Sequence, residues 1–374
     1  MSEWRATTLD QLVKLQRGHD LPTRQRRPGK IPVVGAAGPS GLHDTAIVKA
    51  PGVVVGRAGA SMGHATYCEV DFWPLNTSLY VTDFMGNEPR FVYYLLHLID
   101  FSGFNSGAAQ PMLNRNYIKQ IPISLPEANE QRAIVAVIGA LDDKIAVNKR
   151  IATTSHELGL ALFAQAVLGG AGVEVTVGSV SSALTRGVTP KYSESPDDLV
   201  VINQKCIRGG RVSLTHSRLT LREKVKDPKL LYRNDVLVNS TGVGTLGRVA
   251  RWTSDEDATV DSHITIVRFD EAQVDPVCAG FAMLRAQPEI EAMGEGSTGQ
   301  TELRRTQLGR LEISLPSKEQ QRKLRPKLDS LEERTDQALN ESQTLATLRD
   351  TLLPQLMSGR LRVKDAEKIV EDAT

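Results

Sequence analysis

The side chains best suited to chemistry in this sequence are those that read or grip other polar groups. Gln110 lies five residues before Arg115, and Gln300 lies close to Arg304 and Arg305. A glutamine amide can pair bidentately with adenine and an arginine guanidinium with guanine, so both sets suit the base edges of duplex DNA. Bracing a domain against a neighbouring helix is the structural alternative for the same residues. Two glycine-rich stretches carry further donors. Arg57, Ser61 and His64 surround Gly59 and Gly63, while Ser240, Thr241 and Arg248 surround Gly242, Gly244 and Gly247. Glycines there let backbone N–H groups approach phosphates, or each stretch is a tight strand-to-strand turn with solvated polar residues. Neither contains the Gly-Lys-Ser/Thr of a nucleotide P-loop. Arg24, Arg26, Arg27 and Lys30 form a basic loop that suits phosphate contact or is simply exposed charge. Asn76 and Asp261 hold matching places and read as strand-end hydrogen-bonding residues rather than DNA contacts.

Catalytic signatures are missing from the chain. There is no Asn-Pro-Pro-Tyr-type methyltransferase loop, no metal-dependent nuclease pattern and no His-Glu-x-x-His. Cys68, Cys206 and Cys278 are too few and too scattered for a disulfide framework or a zinc site, which makes a reducing cytoplasm the default. A formal net charge of +1 gives no global basic field, so any nucleic-acid surface must be local. No apolar run approaches the roughly 20 residues of a membrane helix. The reading is a non-enzymatic recognition chain with no metal and no membrane partner.

Those candidate residues sit on recognisable elements. Val53–Gly56 and Leu75–Val81 read as strands, with residues 57–63 as the glycine turn between them, and Phe91–Ile99 has the length of a buried helix. Asp235–Ser240, residues 241–248 and Val260–Val267 repeat that layout. The repeat is clearest further on. Ile123-Ser124-Leu125-Pro126 followed by Glu130-Gln131-Arg132 returns 190 residues later as Ile313-Ser314-Leu315-Pro316 followed by Glu319-Gln320-Gln321-Arg322. Gln110, Leu113, Arg115, Arg132 and Leu141 meet identical residues in the same gap-free frame, which points to a duplication.

A long helical pattern follows each motif. Ile134, Ile138, Leu141, Ile145 and Asn148 step by four and three as a heptad seam, and Leu158, Leu162 and Phe163 continue the apolar face. This helix is expected from about Ala128 to Val167, roughly 60 Å at 1.5 Å per residue, with Gly169-Gly170-Ala171-Gly172 stopping it. Leu324, Leu328, Leu331, Leu345 and Leu352 form the second seam, with polar interruptions at Thr335 and Ser342. Pro326 is tolerable only in a first turn or as a kink, so the regular helix can begin there. Pro354 and Gly359 end it, and the polar tail from Lys364 is expected to fray. Asn148 and Thr335 could set register or face a partner subunit.

The expected fold is α+β: two similar mixed α/β domains separated by two long helices packed as an antiparallel coiled coil with a pseudo-twofold. The segments are residues 1–125, the first domain; 126–170, the first long helix; 171–316, the second domain; 317–360, the second long helix; and 361–374, a tail. Two similar readers held at a fixed distance suit duplex DNA, which repeats every roughly 34–36 Å.

The helix entries, Leu141-Asp142-Asp143-Lys144-Ile145, Asn148-Lys149-Arg150, Leu162-Phe163 and the closing run from Leu348 to Leu361 resemble the specificity subunits of type I restriction–modification systems. Pro326 departs from that pattern. The resemblance implies two target recognition domains, each reading half of a bipartite DNA site, with the helices as spacer and as dock for modification subunits, two of them expected. It implies that S-adenosylmethionine is bound by those separate chains, and ATP and Mg²⁺ by a motor–nuclease (restriction) subunit, so this chain needs no cofactor. The alternative is a non-enzymatic coiled-coil scaffold whose globular ends bind proteins.

Overall fold

The computed structural model describes residues 4–107, 110–169, 172–294 and 302–373. It divides into two compact units, Met1–Lys149 with Asn340–Thr374, and Arg150–Leu339. The linear segments read from the sequence are therefore cut differently in space. Each unit takes one globular region and part of each long helix, because an apolar seam is buried most fully by the partner helix and the domain beside it.

In the first unit a four-stranded antiparallel sheet has the order Lys14–Arg17, Ser78–Asp83, Gly52–Gly56, Ala65–Cys68. Gly52–Gly56 is buried along its whole length, as its unbroken Val53-Val54-Val55 run predicts. The helix Pro89–Leu98 packs Phe91, Val92, Leu95 and Leu96 into the same core; Pro89 suits its first turn because the missing N–H has no partner there. A smaller sheet pairs Ile31–Gly35 with Gly38–His43 and, in parallel, with Trp73–Pro74. Leu75 and Asn76 lie outside the strands, in the turn before Ser78–Asp83.

The second unit has the same plan. Its four-stranded sheet runs Ser181–Arg186, Ile264–Phe269, Val236–Asn239, Val249–Arg251, again antiparallel throughout. Its smaller sheet pairs Leu199–Ile202 with Arg218–Thr220 and, in parallel, with Ala258–Val260. The expected single strand Val260–Val267 is two strands, Ala258–Val260 and Ile264–Phe269, broken at residues 261–263 where the Asp261 carboxylate accepts the His263 N–H at 2.9 Å. Each unit also closes with a two-stranded ribbon. Thr7 faces Ile123 in one and Val175 faces Ile313 in the other, so the repeated Ile-Ser-Leu is the strand leading into each long helix.

The long helices run Ala128–Leu168 and Lys318–Met357. In the first unit they pack antiparallel: Arg349 Nη1 donates to Asp142 Oδ1 at 2.8 Å, and Asn148 Nδ2 donates to Glu341 Oε2 at 2.7 Å. Ile134, Ile138, Leu141, Ile145, Leu345 and Leu352 are all buried there. In the second unit Leu324 and Leu328 share a core with Phe163, and Leu328 lies beside Gly159. Leu331 is half-buried, and Thr335 is buried with its hydroxyl donating to the Leu331 carbonyl at 2.7 Å.

Three expectations about the helices need correction. Leu158 is 46% exposed and does not continue the seam; Phe163 does. The second helix begins at Lys318 and runs through Pro326, although proline interrupts the backbone ladder at a cost of about 3 kcal/mol relative to alanine. Burial of Leu324 and Leu328 on either side offsets that cost. The tail is not a frayed end: Val363–Ala373 is a helix whose Ala366 is buried against the first unit's core, with Leu361, Val363 and Val370 packed beside it. Val363, Ala366 and Val370 fall three and four residues apart in an otherwise polar segment, and that polarity masks the short stripe in the sequence.

Candidate nucleic-acid interface

The two glycine stretches are hairpin turns with one hydrogen-bond plan. Gly56 N–H donates to His64 O, and Gly63 N–H donates back to Gly56 O, both at 2.8 Å. Asn239 N–H donates to Arg248 O at 2.9 Å, and Gly247 N–H donates back to Asn239 O at 2.8 Å. Gly63 and Gly247 both have positive φ, which glycine adopts without the Cβ clash. His64 and Arg248 are thus structural equivalents, as are Arg57 and Ser240. The incoming loop is anchored alike: Leu113 N–H donates to Arg57 O and Leu303 N–H to Ser240 O, each at 2.8 Å.

In the first unit this brings Arg57 and Arg115 together. They line a cleft of about 690 Å³ with Arg17, His19, Asp20 and Asn114. Burial lowers the Arg57 pKa, and the nearby Arg17 charge adds to the shift; the guanidinium stays charged at neutral pH. Arg57 is held by the Asn76 carbonyl and Met112 sulfur, while Arg17 and Arg115 are exposed. The Gln110 amide lies over the glycine turn, 3.3 Å from where a Cβ on Gly59 would stand. Ser61 is half-buried and His64 is exposed on the same turn. Asn76 donates to the Asp20 carboxylate, a strand-end bond as its position suggests.

The basic loop is less free than its sequence implies. Arg27 forms a two-point ion pair with Asp44, at 2.5 and 2.9 Å, which holds the Asp44 carboxyl down at about 2. Arg26 donates to the Ser40 carbonyl at 2.8 Å. Arg24 and Lys30 are exposed.

In the second unit Ser240 is a correction. It is fully buried, with its hydroxyl 2.6 Å from Thr265 Oγ1, so it presents nothing to a partner. Thr241 is bonded to His263 Nδ1 at 2.9 Å and receives the Gln204 amide at 2.8 Å. Arg248 folds back over its own turn, donating to Gly244 O at 2.7 Å. Arg304 and Arg305 are exposed at the start of a short helix, Arg305–Arg310. Gln300 lies outside the described residues.

Several polar residues at these places are not signalled by the 190-residue repeat. Arg17 and Arg186 end equivalent strands, and Arg186 donates to Glu302 at 2.7 Å and to the Leu303 carbonyl at 2.8 Å. The recurring Arg-Gly pair, Arg17-Gly18 and Arg186-Gly187, is the signal that could have found them. A second cleft of about 380 Å³ is lined by Asn203, Gln204, Lys205 and His216, with Arg218 stacked 3.5 Å over the Tyr192 ring. No spacing in the sequence marks that group. Among the described residues no cluster of three or more His, Cys, Asp or Glu could hold a metal, and no helix is long and apolar enough to cross a membrane.

Residues 1–154 match the family described as the type I restriction modification DNA specificity domain. That match makes residues 1–154 similar to a type I restriction–modification DNA specificity domain. The matched residues include the first helix entry, Leu141-Asp142-Asp143-Lys144-Ile145 and Asn148-Lys149-Arg150, which carried the resemblance in that half of the chain. The matched residues take in the first globular region, the cleft between Arg17 and Arg115, and about the first two thirds of the long helix. An S subunit of a type I restriction–modification system from M. genitalium is similar over 95% of this chain and 96% of its own, at 18% identity and a TM-score of 0.67. That likeness extends the shared fold beyond the matched residues to nearly the whole chain. The HsdS subunit from Thermoanaerobacter tengcongensis aligns over 96% of this chain and 97% of its own, at 16% identity and a TM-score of 0.36. No curated protein matches the sequence.

Proposed function

We propose that this chain is the DNA sequence-specificity subunit of a type I restriction–modification complex. Each globular unit reads one half of a bipartite, asymmetric duplex site. The observation that carries this reading is the recurrence, twice in one chain, of a single sheet plan with an arginine-bearing loop fixed against a glycine hairpin. Equal frames with unequal side chains suit two readers of two different half-sites. Thr241, Arg248, Arg304 and Arg305 in the second unit, and Arg57, Ser61, His64, Gln110 and Arg115 in the first, are the contacts proposed from the repeat, with Arg24 and Lys30 reaching flanking phosphates.

In this reading the long helices set the half-site spacing and dock two modification subunits in the cytoplasm. The chain itself is not an enzyme. S-adenosylmethionine belongs to the modification subunits, and ATP with Mg²⁺ belongs to the restriction subunit.

Titration of duplex DNA tests the reading. Affinity should fall steeply with salt, and one split sequence should be preferred over random DNA. Capture of proteins without any DNA preference would support a protein scaffold instead.

A further inference from the structure

The strand Lys14–Arg17 ends on Arg17-Gly18, and the strand Ser181–Arg186 ends on Arg186-Gly187. Both glycines are packed against the same neighbour. A Cβ at Gly18 would stand 2.1 Å from the Leu75 carbonyl, and one at Gly187 would stand 2.2 Å from that of Asp261. The next residues, His19 and Val188, make parallel bridges to Leu75 and Asp261. The two arginines are therefore fixed at one and the same point of each unit.

A second arginine arrives from the other side. The Leu113 and Leu303 N–H bonds to Arg57 and Ser240 hold the loops that carry Arg115 and Arg305, each two residues further on. Arg17 and Arg115 line one cleft. In the second unit Arg186 donates to the Leu303 carbonyl at 2.8 Å, two residues before Arg305, so the same loop brings that arginine to it. Around the pairs the equivalents diverge: Arg57 against Ser240, Ala58 against Thr241, Met112 against Glu302. Phosphates are the same in every sequence and bases are not. A pair kept while its surroundings change fits the phosphate.

Resting on the reading of this chain as a DNA reader, we infer that Arg17 with Arg115, and Arg186 with Arg305, form two equivalent phosphate clamps. They set each unit's register on the duplex and leave sequence choice to the non-equivalent neighbours. The clamps are not equally strong, because Glu302 pairs with Arg186 at 2.7 Å where the first unit has Met112.

The test uses the full chain with any subunits that co-purify, titrated with a random-sequence duplex and with a duplex carrying the site found by methylation profiling. R17A/R115A should weaken both by a similar factor. It should also flatten log K against log salt by roughly 0.9 for each phosphate no longer neutralised. R17K/R115K should restore most of the binding, since a phosphate accepts a point charge and bidentate guanine pairing does not. M112E should weaken binding and E302M should strengthen it. If the unmutated chain shows no salt-dependent duplex binding, the proposed function falls and the clamps with it. If it binds normally but R17A/R115A leaves the salt slope unchanged, or the lysine variant is as weak as the alanine one, the clamps alone are overturned.

Discussion

Gln131 and Gln321 perform one task 190 residues apart. The Gln131 amide donates to the Pro126 carbonyl at 3.0 Å, while its oxygen accepts Glu88 N–H at 3.0 Å, at the start of the helix Pro89–Leu98. Gln321 donates to the Pro316 carbonyl at 2.7 Å and accepts Asp275 N–H at 2.9 Å, at the start of the helix Pro276–Arg285. Each glutamine staples a long helix to a domain helix through groups that would otherwise be buried and unpaired. Q321A should therefore destabilise by about 1–3 kcal/mol in urea unfolding; no change in midpoint would refute the staple. His156 offers a pH test. Burial, with the charge of Arg211 beside it, lowers its pKa below the ordinary 6.5, against a weaker opposing pull from Glu157. The folded state thus favours the neutral ring, and the unfolded chain binds the proton more readily. Stability from this group is present above 6.5 and is lost as pH falls through the window below it. H156Q should flatten the fall in thermal midpoint over that window, and an unaltered profile would exclude His156 as its source. The sequence displayed both glutamines inside a motif but not their partners, which lie in other elements.

At the scale of elements, the long helices are held by apolar burial and by a carboxylate that recurs in the 190-residue frame. Asp142 accepts from Tyr94 at 2.6 Å and from Arg349; Glu332, its counterpart, accepts from the buried Arg251. E332A would leave that guanidinium without its carboxylate and should cost about 3–5 kcal/mol. L328A removes a fully buried seam residue and should cost about 2–5 kcal/mol. Chemical denaturation of each variant gives the values, and losses under about 1 kcal/mol would show that neither residue holds helix to domain. The helices were legible because a heptad seam and a gap-free motif survive in one frame. The heads were legible only in layout. Their offset falls from 190 at the helices to 183 between Arg57 and Ser240 and 169 between Arg17 and Arg186, because the second unit carries extra chain both before and after its glycine hairpin. A single-frame comparison slides past that pair. Ser240 misled for a related reason: a polar residue beside a glycine turn reads as exposed, yet alternation along Val236–Asn239 and the pairing with Ile264–Phe269 turn it into the core.

At the scale of the whole molecule, the central claim is that the two units read DNA independently and the helices set the distance between half-sites without taking part in the reading. Inserting residues in the helix Ala128–Leu168 should therefore change the tolerated spacer and leave both half-sites alone. The most direct measurement exchanges residues 1–125 for those of a chain with a different specificity, followed by methylation profiling of DNA from cells carrying the complete system. One half-site should change while the other half-site and the spacer stay fixed. An unchanged site, or a change in both halves at once, would contradict the account.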